Sequence, residues 1–306
     1  MGVEEKILIT GGSGLLALNY ALAVRKADNV VLGLHERNVL IKGVCSVFLN
    51  LESVESLYKS LSDIKPSLVI HTVGLTNIET CEKNPQLAEY INVKLATNIA
   101  TVAKQLDIKF VFISTDQLFD GKASMYNEME TVVPLNIYGS TKAKAEREVL
   151  SIHQEAMIIR TNFYGWGTTY RHSFSDFIYY QLKNKQPVQL FFDVFYTPIL
   201  IEKLVEIIDK LVALNSYGIF NIVSDDRISK FDFGIKLADV FGFDHSLISP
   251  VSINTRKDLV LRPGDMSLNN EKAINLLGKP FGKVNSHLIL LKKQLSDNRY
   301  KEITLL

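Results

Sequence analysis

The chain has 306 residues, 47% of them hydrophobic and 22% charged, with a formal net charge of +1. That length supports a large core in one domain or two, and the near-neutral charge gives no reason to expect a nucleic acid or a membrane surface as partner. The only cysteines, Cys45 and Cys81, stand in no metal-ligand spacing, so a reduced, cytoplasmic protein without structural disulfides or a bound metal is expected.

The opening MGVEEKILIT carries Glu4 and Glu5 ahead of a short apolar run, which does not fit a signal peptide. Lys6 stands where a myristoylation motif needs Ser or Thr. No stretch reaches the roughly 18 apolar residues of a membrane span. Strand-like runs then follow at KILIT (6–10), NVVLGL (29–34), CSVFL (45–49), SLVIH (67–71), KFVFIS (109–114) and AMIIR (156–160). They are apolar almost throughout, as strands covered on both faces must be. Helical patterns lie between them, for example over 85–106 with Leu87, Ile91, Leu95, Ile99 and Val102 at helical spacing. The alternation predicts an α/β fold, a Rossmann-type doubly wound parallel sheet with a smaller C-terminal substrate lobe. The expected division is a dinucleotide-binding domain over 1–165 with a return segment near 196–223, and a substrate lobe from 166–195 and 224–306. Later helical runs are expected at 173–184, 200–214, 230–242 and 282–295, with one strand at 219–223.

The first strand runs into TGGSGLLALNYAL, where Gly11, Gly14 and Ala17 recur every three residues. Gly11 suits a tight turn, Gly14 lets a pyrophosphate approach the backbone, and Ala17 lets the helix pack closely on the sheet. The helix N-terminus behind Ser13 and Leu15 then offers unpaired N–H groups to the phosphates. After the second strand, His35, Glu36 and Arg37 are adjacent. An acid there favours the ribose hydroxyls of NAD, and a base the 2′-phosphate of NADP. Both are present, so NADP or NAD remains open, leaning to NADP through Arg37 and His35.

Farther on, FISTDQLFDG (112–121) ends an apolar run at a hydroxyl pair, an acid and an amide, and YGSTK (138–142) heads an amphipathic run. On a helix Tyr138 and Lys142 share one face. A tyrosine titrates near 10, and a nearby ammonium lowers the cost of its phenolate.

Together the G-x-x-G-x-x-A turn, STD after the fifth strand and Y-x-x-x-K 23 residues beyond Thr115 resemble the extended short-chain dehydrogenase/reductase family along the whole chain. The resemblance implies that Thr115 hydrogen-bonds the substrate oxygen, Tyr138 transfers a proton, and Lys142 tunes Tyr138 and holds the cofactor. Within the family, STDQLFDG followed by NIYGSTK is similar to the dTDP-4-dehydrorhamnose reductase branch. Sugar-nucleotide dehydratases have Thr-Asp-Glu at this place, whereas Gln117 cannot serve as a base. Asp116 then binds substrate or only orders its turn. The resemblance adds cofactor contacts at Asn50, Leu51, Val73 and Gly74, although His71 and Thr72 depart from the family's turn. It adds a supporting amide at Asn92, and Asn162 with Phe163 near the nicotinamide or the sugar. FYTP (195–198) is similar to an R-T-P segment, with Tyr196 in place of the basic residue. LRPGDMSL (261–268) resembles the branch's R-P segment, which implies that Arg262 clamps the substrate diphosphate. Arg171, His172 and Arg256 are weaker phosphate candidates.

The expectation is an NAD(P)H-dependent reductase of a nucleotide-linked 4-keto-6-deoxy sugar in the cytoplasm, with homodimerisation left open. The alternatives are an NAD-retaining epimerase and a non-catalytic, NADP-binding regulatory subunit.

Overall fold

The computed structural model describes residues 6–26 and 29–306, so residues 1–5, on which the N-terminal reading rests, lie outside the described residues. Two compact units divide the chain. The first holds the residues up to Thr115, Asn136–Ile159 and Asn215–Ile219, and the second holds Asp116–Leu135, Arg160–Leu214 and Phe220–Leu306. The chain changes units after Thr115 and after Ile159, and 116–135 and 196–214 go with the second unit.

The first unit runs β1 (Lys6–Thr10), α1 (Leu15–Val24), β2 (Asn29–Leu34), β3 (Cys45–Phe48), α2 (Val54–Ile64), β4 (Leu68–His71), α3 (Ile78–Lys83) and α4 (Pro85–Glu89). It continues through a π turn (Tyr90–Lys94), α5 (Leu95–Gln105), β5 (Lys109–Ile113), α6 (Ile137–Ile152) and β6 (Met157–Arg160). The strands lie in the order β6–β5–β4–β1–β2–β3, with parallel pairing throughout. All of β4, and β1 beyond Lys6, are buried, which accounts for their unbroken apolar runs. β3 departs from that expectation. It is the sheet edge, and Cys45 and Phe48 are exposed.

The apolar face under α2, α5 and α6 forms one core with Leu8, Val69, Phe110 and Phe112 of the sheet. Each such side chain contributes about 1.5–3 kcal/mol by leaving water. The helical pattern over 85–106 is one rod in the sequence but three pieces in the fold, because the π turn inserts at Tyr90–Lys94. Leu87 before the turn is exposed, and Asn92 within it is fully buried.

The second unit is built from short pieces: β7 (Phe163–Tyr164), α7 (Phe174–Lys183), β8 (Val188–Phe191), β9 (Phe195–Tyr196), β10 (Ile199–Leu200) and α8 (Ile201–Ala213). After these come β11 (Gly218–Asn221), whose first two residues belong to the first unit, β12 (Ile228–Ser229), α9 (Lys230–Phe241), β13 (Ile248–Val251), α10 (Glu271–Leu277), α11 (Val284–Lys293) and α12 (Asn298–Leu305). β11 adds a seventh strand to the large sheet beside β6. The other strands pair in twos: β7 with β10, β9 with β12 and β8 with β13. Aromatic packing holds the unit together. Trp166 donates to the carbonyl of Leu291 at 3.1 Å and meets the rings of Tyr179 and Tyr300 edge-on. No helix among the described residues is long and apolar enough to cross a membrane.

Candidate active site

Strand order reverses between β1 and β4, and open α/β sheets bind ligands beyond the carboxyl ends of their strands at such a point. The glycine turn lies there. Gly11 has φ +70 and Gly14 N–H donates to its carbonyl at 2.7 Å. A Cβ on Gly11 would come within 2.9 Å of Thr72 Oγ1, and one on Gly12 within 2.8 Å of Leu32 Cβ. The turn therefore tolerates no side chain at either position. Gly14 caps α1 without a side-chain hydrogen bond, so the first-turn amides after Ser13 and Leu15 suit an anion. Ala17 is fully buried against the sheet. These residues fit a dinucleotide pyrophosphate.

The other cofactor candidates follow neighbouring strands. His35, Glu36 and Arg37 are all exposed after β2, with His35 Nδ1 3.9 Å from Glu36. Acid and base both remain at the place where ribose or 2′-phosphate is read. Asn50 follows β3 and accepts from Glu52 N–H, and the Leu51 carbonyl accepts from Asn98. Val73 and Gly74 follow β4. Asn92 ties that loop to α6: its Oδ1 accepts from Leu75 N–H at 2.7 Å, and its Nδ2 donates to Leu75 O and to Thr141 Oγ1. A Cβ on Gly74 would lie 3.3 Å from that Oδ1.

β5 and α6 carry the hydroxyl, the phenol and the amine. Thr115 is buried just beyond β5. Asn136 caps α6 by accepting from Gly139 N–H at 2.9 Å, which places Tyr138 in the first turn and Lys142 one turn on. Lys142 Nζ donates to the carbonyl of Ile113 at 2.7 Å, two residues before Thr115, and lies 3.9 Å from the centre of the Phe112 ring. Burial pulls this ammonium down to about 7, against the favourable charge of Glu146. Beneath it, His71 is fully buried, hydrogen-bonded to Thr10 Oγ1 at 2.8 Å and stacked on Phe112. Burial first, and then the charge of Lys142, push this imidazole down to about 3, so it is neutral at physiological pH. No set of three metal-ligating side chains occurs among the described residues.

Apart from Thr115, the substrate candidates fall in the second unit. Asp116 is buried and accepts from Asn162 Nδ2 at 2.7 Å. Gln117 Nε2 faces Met266 Sδ at 2.6 Å. Arg262, half-buried, donates through Nε to the carbonyl of Val260 at 3.2 Å. Gly121 has φ +74, and a Cβ there would come 2.9 Å from Pro263, so STDQLFDG and LRPGD are packed together although far apart in sequence. Arg256 is an exposed partner of Asp258 at 2.8 and 2.7 Å.

Residues 5–295 match the family described as RmlD substrate binding domain. The chain belongs to that family. Among its relatives is a probable low-salt glycan biosynthesis reductase, Agl14, from Haloferax volcanii, 26% identical over 94% of this chain and 98% of that protein. The methionine adenosyltransferase 2 subunit beta of Xenopus laevis is also 26% identical, over 81% of this chain and 76% of that one. Among solved structures, a dTDP-4-dehydrorhamnose reductase from Clostridium acetobutylicum superposes with a TM-score of 0.83 at 25% identity, covering 95% of this chain and 99% of that chain.

One charged residue of this RmlD-family chain escaped the sequence reading. Lys230 begins α9, and its Nζ lies 3.5 Å from the centre of the Tyr196 ring and 4.6 Å from that of Phe174. Burial lowers it to about 8, with Asp116 opposing and Arg262 adding to the shift. In the sequence it is only the residue after a helix-capping Ser229, and no local pattern distinguishes it from a solvated lysine.

Proposed function

We propose that this protein is an NAD(P)H-dependent reductase of a 4-keto-6-deoxy sugar carried on a nucleotide, with Thr115, Tyr138 and Lys142 as its catalytic residues. The observation that carries the reading is the bond from Lys142 to Ile113 O, which holds the lysine beside the strand end of Thr115 and one helical turn from Tyr138. A bound nicotinamide dinucleotide supplies the hydride. Tyr138 gives a proton to the developing alkoxide, and the Thr115 hydroxyl donates a hydrogen bond to the same oxygen. The Lys142 charge lowers the cost of the phenolate left behind. Gln117 provides no base for eliminating water, which favours reduction over dehydration.

In this reading the first unit binds the dinucleotide. Gly11, Ser13, Gly14 and Leu15 take its pyrophosphate, His35, Arg37, Asn50 and Leu51 its adenosine end, and Val73, Gly74, Tyr138 and Lys142 its nicotinamide side. The pairing of His35 and Arg37 leans to NADP over NAD. In the second unit Asp116, Gln117, Asn162 and Arg262 hold the nucleotide sugar, together with the Thr115 hydroxyl. A cytoplasmic homodimer completes the proposal, with the exposed Leu87 and Tyr90 as apolar positions for pairing.

The test is to purify the protein, denature it and identify any released nucleotide, then assay the emptied protein for NADPH oxidation with dTDP-linked 4-keto-6-deoxy sugars. Exchangeable NADPH with turnover supports the reductase. Stoichiometric NAD that survives purification points to an epimerase. Absence of turnover together with tight binding to a methionine adenosyltransferase points to the regulatory role that the Xenopus laevis relative suggests.

A further inference from the structure

The antiparallel pair of β9 and β12 sets Ile228 opposite Tyr196 and Ser229 opposite Phe195. The two residues that flank β12, Arg227 and Lys230, each lay a cation on one aromatic ring of β9. Arg227 lies 3.8 Å from the Phe195 ring centre and also binds Asp265, at 2.7 Å through Nε and 2.6 Å through a terminal nitrogen. Its charge is matched. Lys230 has the ring beneath it but no counterpart to Asp265: among the described residues its ammonium makes no hydrogen bond and no ion pair. The groups that act on it are Asp116 and Arg262 and the phenol of Tyr196, and Asp232 on its own helix is engaged with Ser229. It also starts a helix, where the backbone dipole repels a cation. A half-buried ammonium with three donors and no protein acceptor among the described residues has those donors available to a ligand.

We propose that Lys230 is a substrate-binding cation that takes an anionic phosphoryl oxygen of the nucleotide sugar, with Arg262 as a second positive charge. The aromatic shelf of Tyr196 and Phe174 holds the ammonium in place by cation–π attraction without using up its donors. Position 196 is where the R-T-P pattern has a basic residue. Here a tyrosine stands there, and the charge comes from position 230 across the strand pair. The inference rests on the nucleotide-sugar reading above.

The experiment measures binding without turnover. Thymidine and uridine diphosphate are titrated calorimetrically into wild type, Lys230→Gln and Lys230→Arg, and NADPH is titrated by fluorescence into the same preparations. Loss of a charge-assisted hydrogen bond predicts about ten- to hundred-fold weaker nucleoside diphosphate binding in Lys230→Gln, with most of the affinity kept in Lys230→Arg and NADPH affinity unchanged. Wild-type affinity for the diphosphates also falls as pH rises through about 8, whereas Lys230→Arg, charged throughout, shows no such fall. Equal diphosphate affinity in wild type and Lys230→Gln overturns the proposal alone. A matching loss of NADPH affinity overturns it too, because the lysine then acts on the cofactor or on the fold. A wild type that binds NADPH but no nucleoside diphosphate overturns both this proposal and the nucleotide-sugar reading.

Discussion

Each unit contains one lysine whose ammonium is pulled well below its ordinary range by burial, Lys142 to about 7 and Lys230 to about 8. Both lie on an aromatic ring. They differ in what completes them. Lys142 sits one turn inside a sixteen-residue helix and gives a hydrogen to the backbone of β5, so its position follows from the regular structure of the first unit. Lys230 stands at the start of α9, after a strand only two residues long, and has no acceptor among the described residues. A buried charge satisfied by backbone has its position fixed by the fold. A half-buried one without a protein acceptor keeps its donors open to a ligand, as proposed for Lys230.

The comparison can be broken most sharply at Tyr138, one helical turn before Lys142. Tyr138→Phe removes only the phenolic hydroxyl. Turnover should fall by about 10²–10⁴-fold, the usual worth of a positioned general acid, with NADPH binding retained. A loss of only a few-fold in steady-state kinetics would remove the first unit's claim to the chemistry.

Lys142 itself gives the next effect, on stability. It titrates at about 7 in the fold and near 10.4 in an unfolded chain. Between those values the unfolded chain binds the additional proton, so this group makes stability rise with pH over that window. Below pH 7 its burial is at its most costly. Lys142→Met should therefore melt above wild type at pH 6, with the difference shrinking as pH approaches 10. Thermal midpoints measured across that range would refute the account if the gap stayed constant.

Asn92→Ala tests whether the π turn positions the loop after β4. It leaves Leu75 N–H and O and Thr141 without their amide partner, and should cost about 1–3 kcal/mol in chemical denaturation. An effect within error would show that the loop holds itself.

The smallest effect belongs to the second unit. Lys203, Lys210 and Lys279 hydrogen-bond Glu206 on α8 and hold its carboxyl below the usual range. The cluster is about one-third exposed, so Glu206→Gln should cost less than about 1 kcal/mol. That difference should be present above the unfolded carboxylate value of about 4.3 and vanish as pH falls below it. A larger difference, persisting in high salt, would mean that the α8 surface is more ordered than an exposed ion cluster.

These tests also follow the line between what could be read in advance and what could not. The parallel strands β1, β2, β4, β5 and β6 were legible because strands covered on both faces must be apolar throughout. Gly11 and Gly14 were legible because only glycine fits where a Cβ would strike Thr72 or the Gly11 carbonyl. Tyr138 and Lys142 were legible because helical spacing alone puts them on one face. The edge position of β3 was hidden, since edge and centre differ only in neighbours. The π turn was hidden as well: 85–106 keeps an ordinary helical apolar pattern, and the buried Asn92 is revealed only by its bonds to Leu75 and Thr141.

By itself the sequence determined the α/β class, the glycine turn after β1 and the shared helix face of Tyr138 and Lys142, because each depends on residues close together in the chain whose geometry follows from strand and helix periodicity. Only the tertiary structure decided that the chain changes units immediately after Thr115, that Asp116 is held by Asn162, and that Lys230 lies on Tyr196 beside Arg262. The Lys230–Tyr196 and Asp116–Asn162 contacts join residues 34 and 46 positions apart through short strands and loops. No local propensity encodes them, and packing alone brings them together.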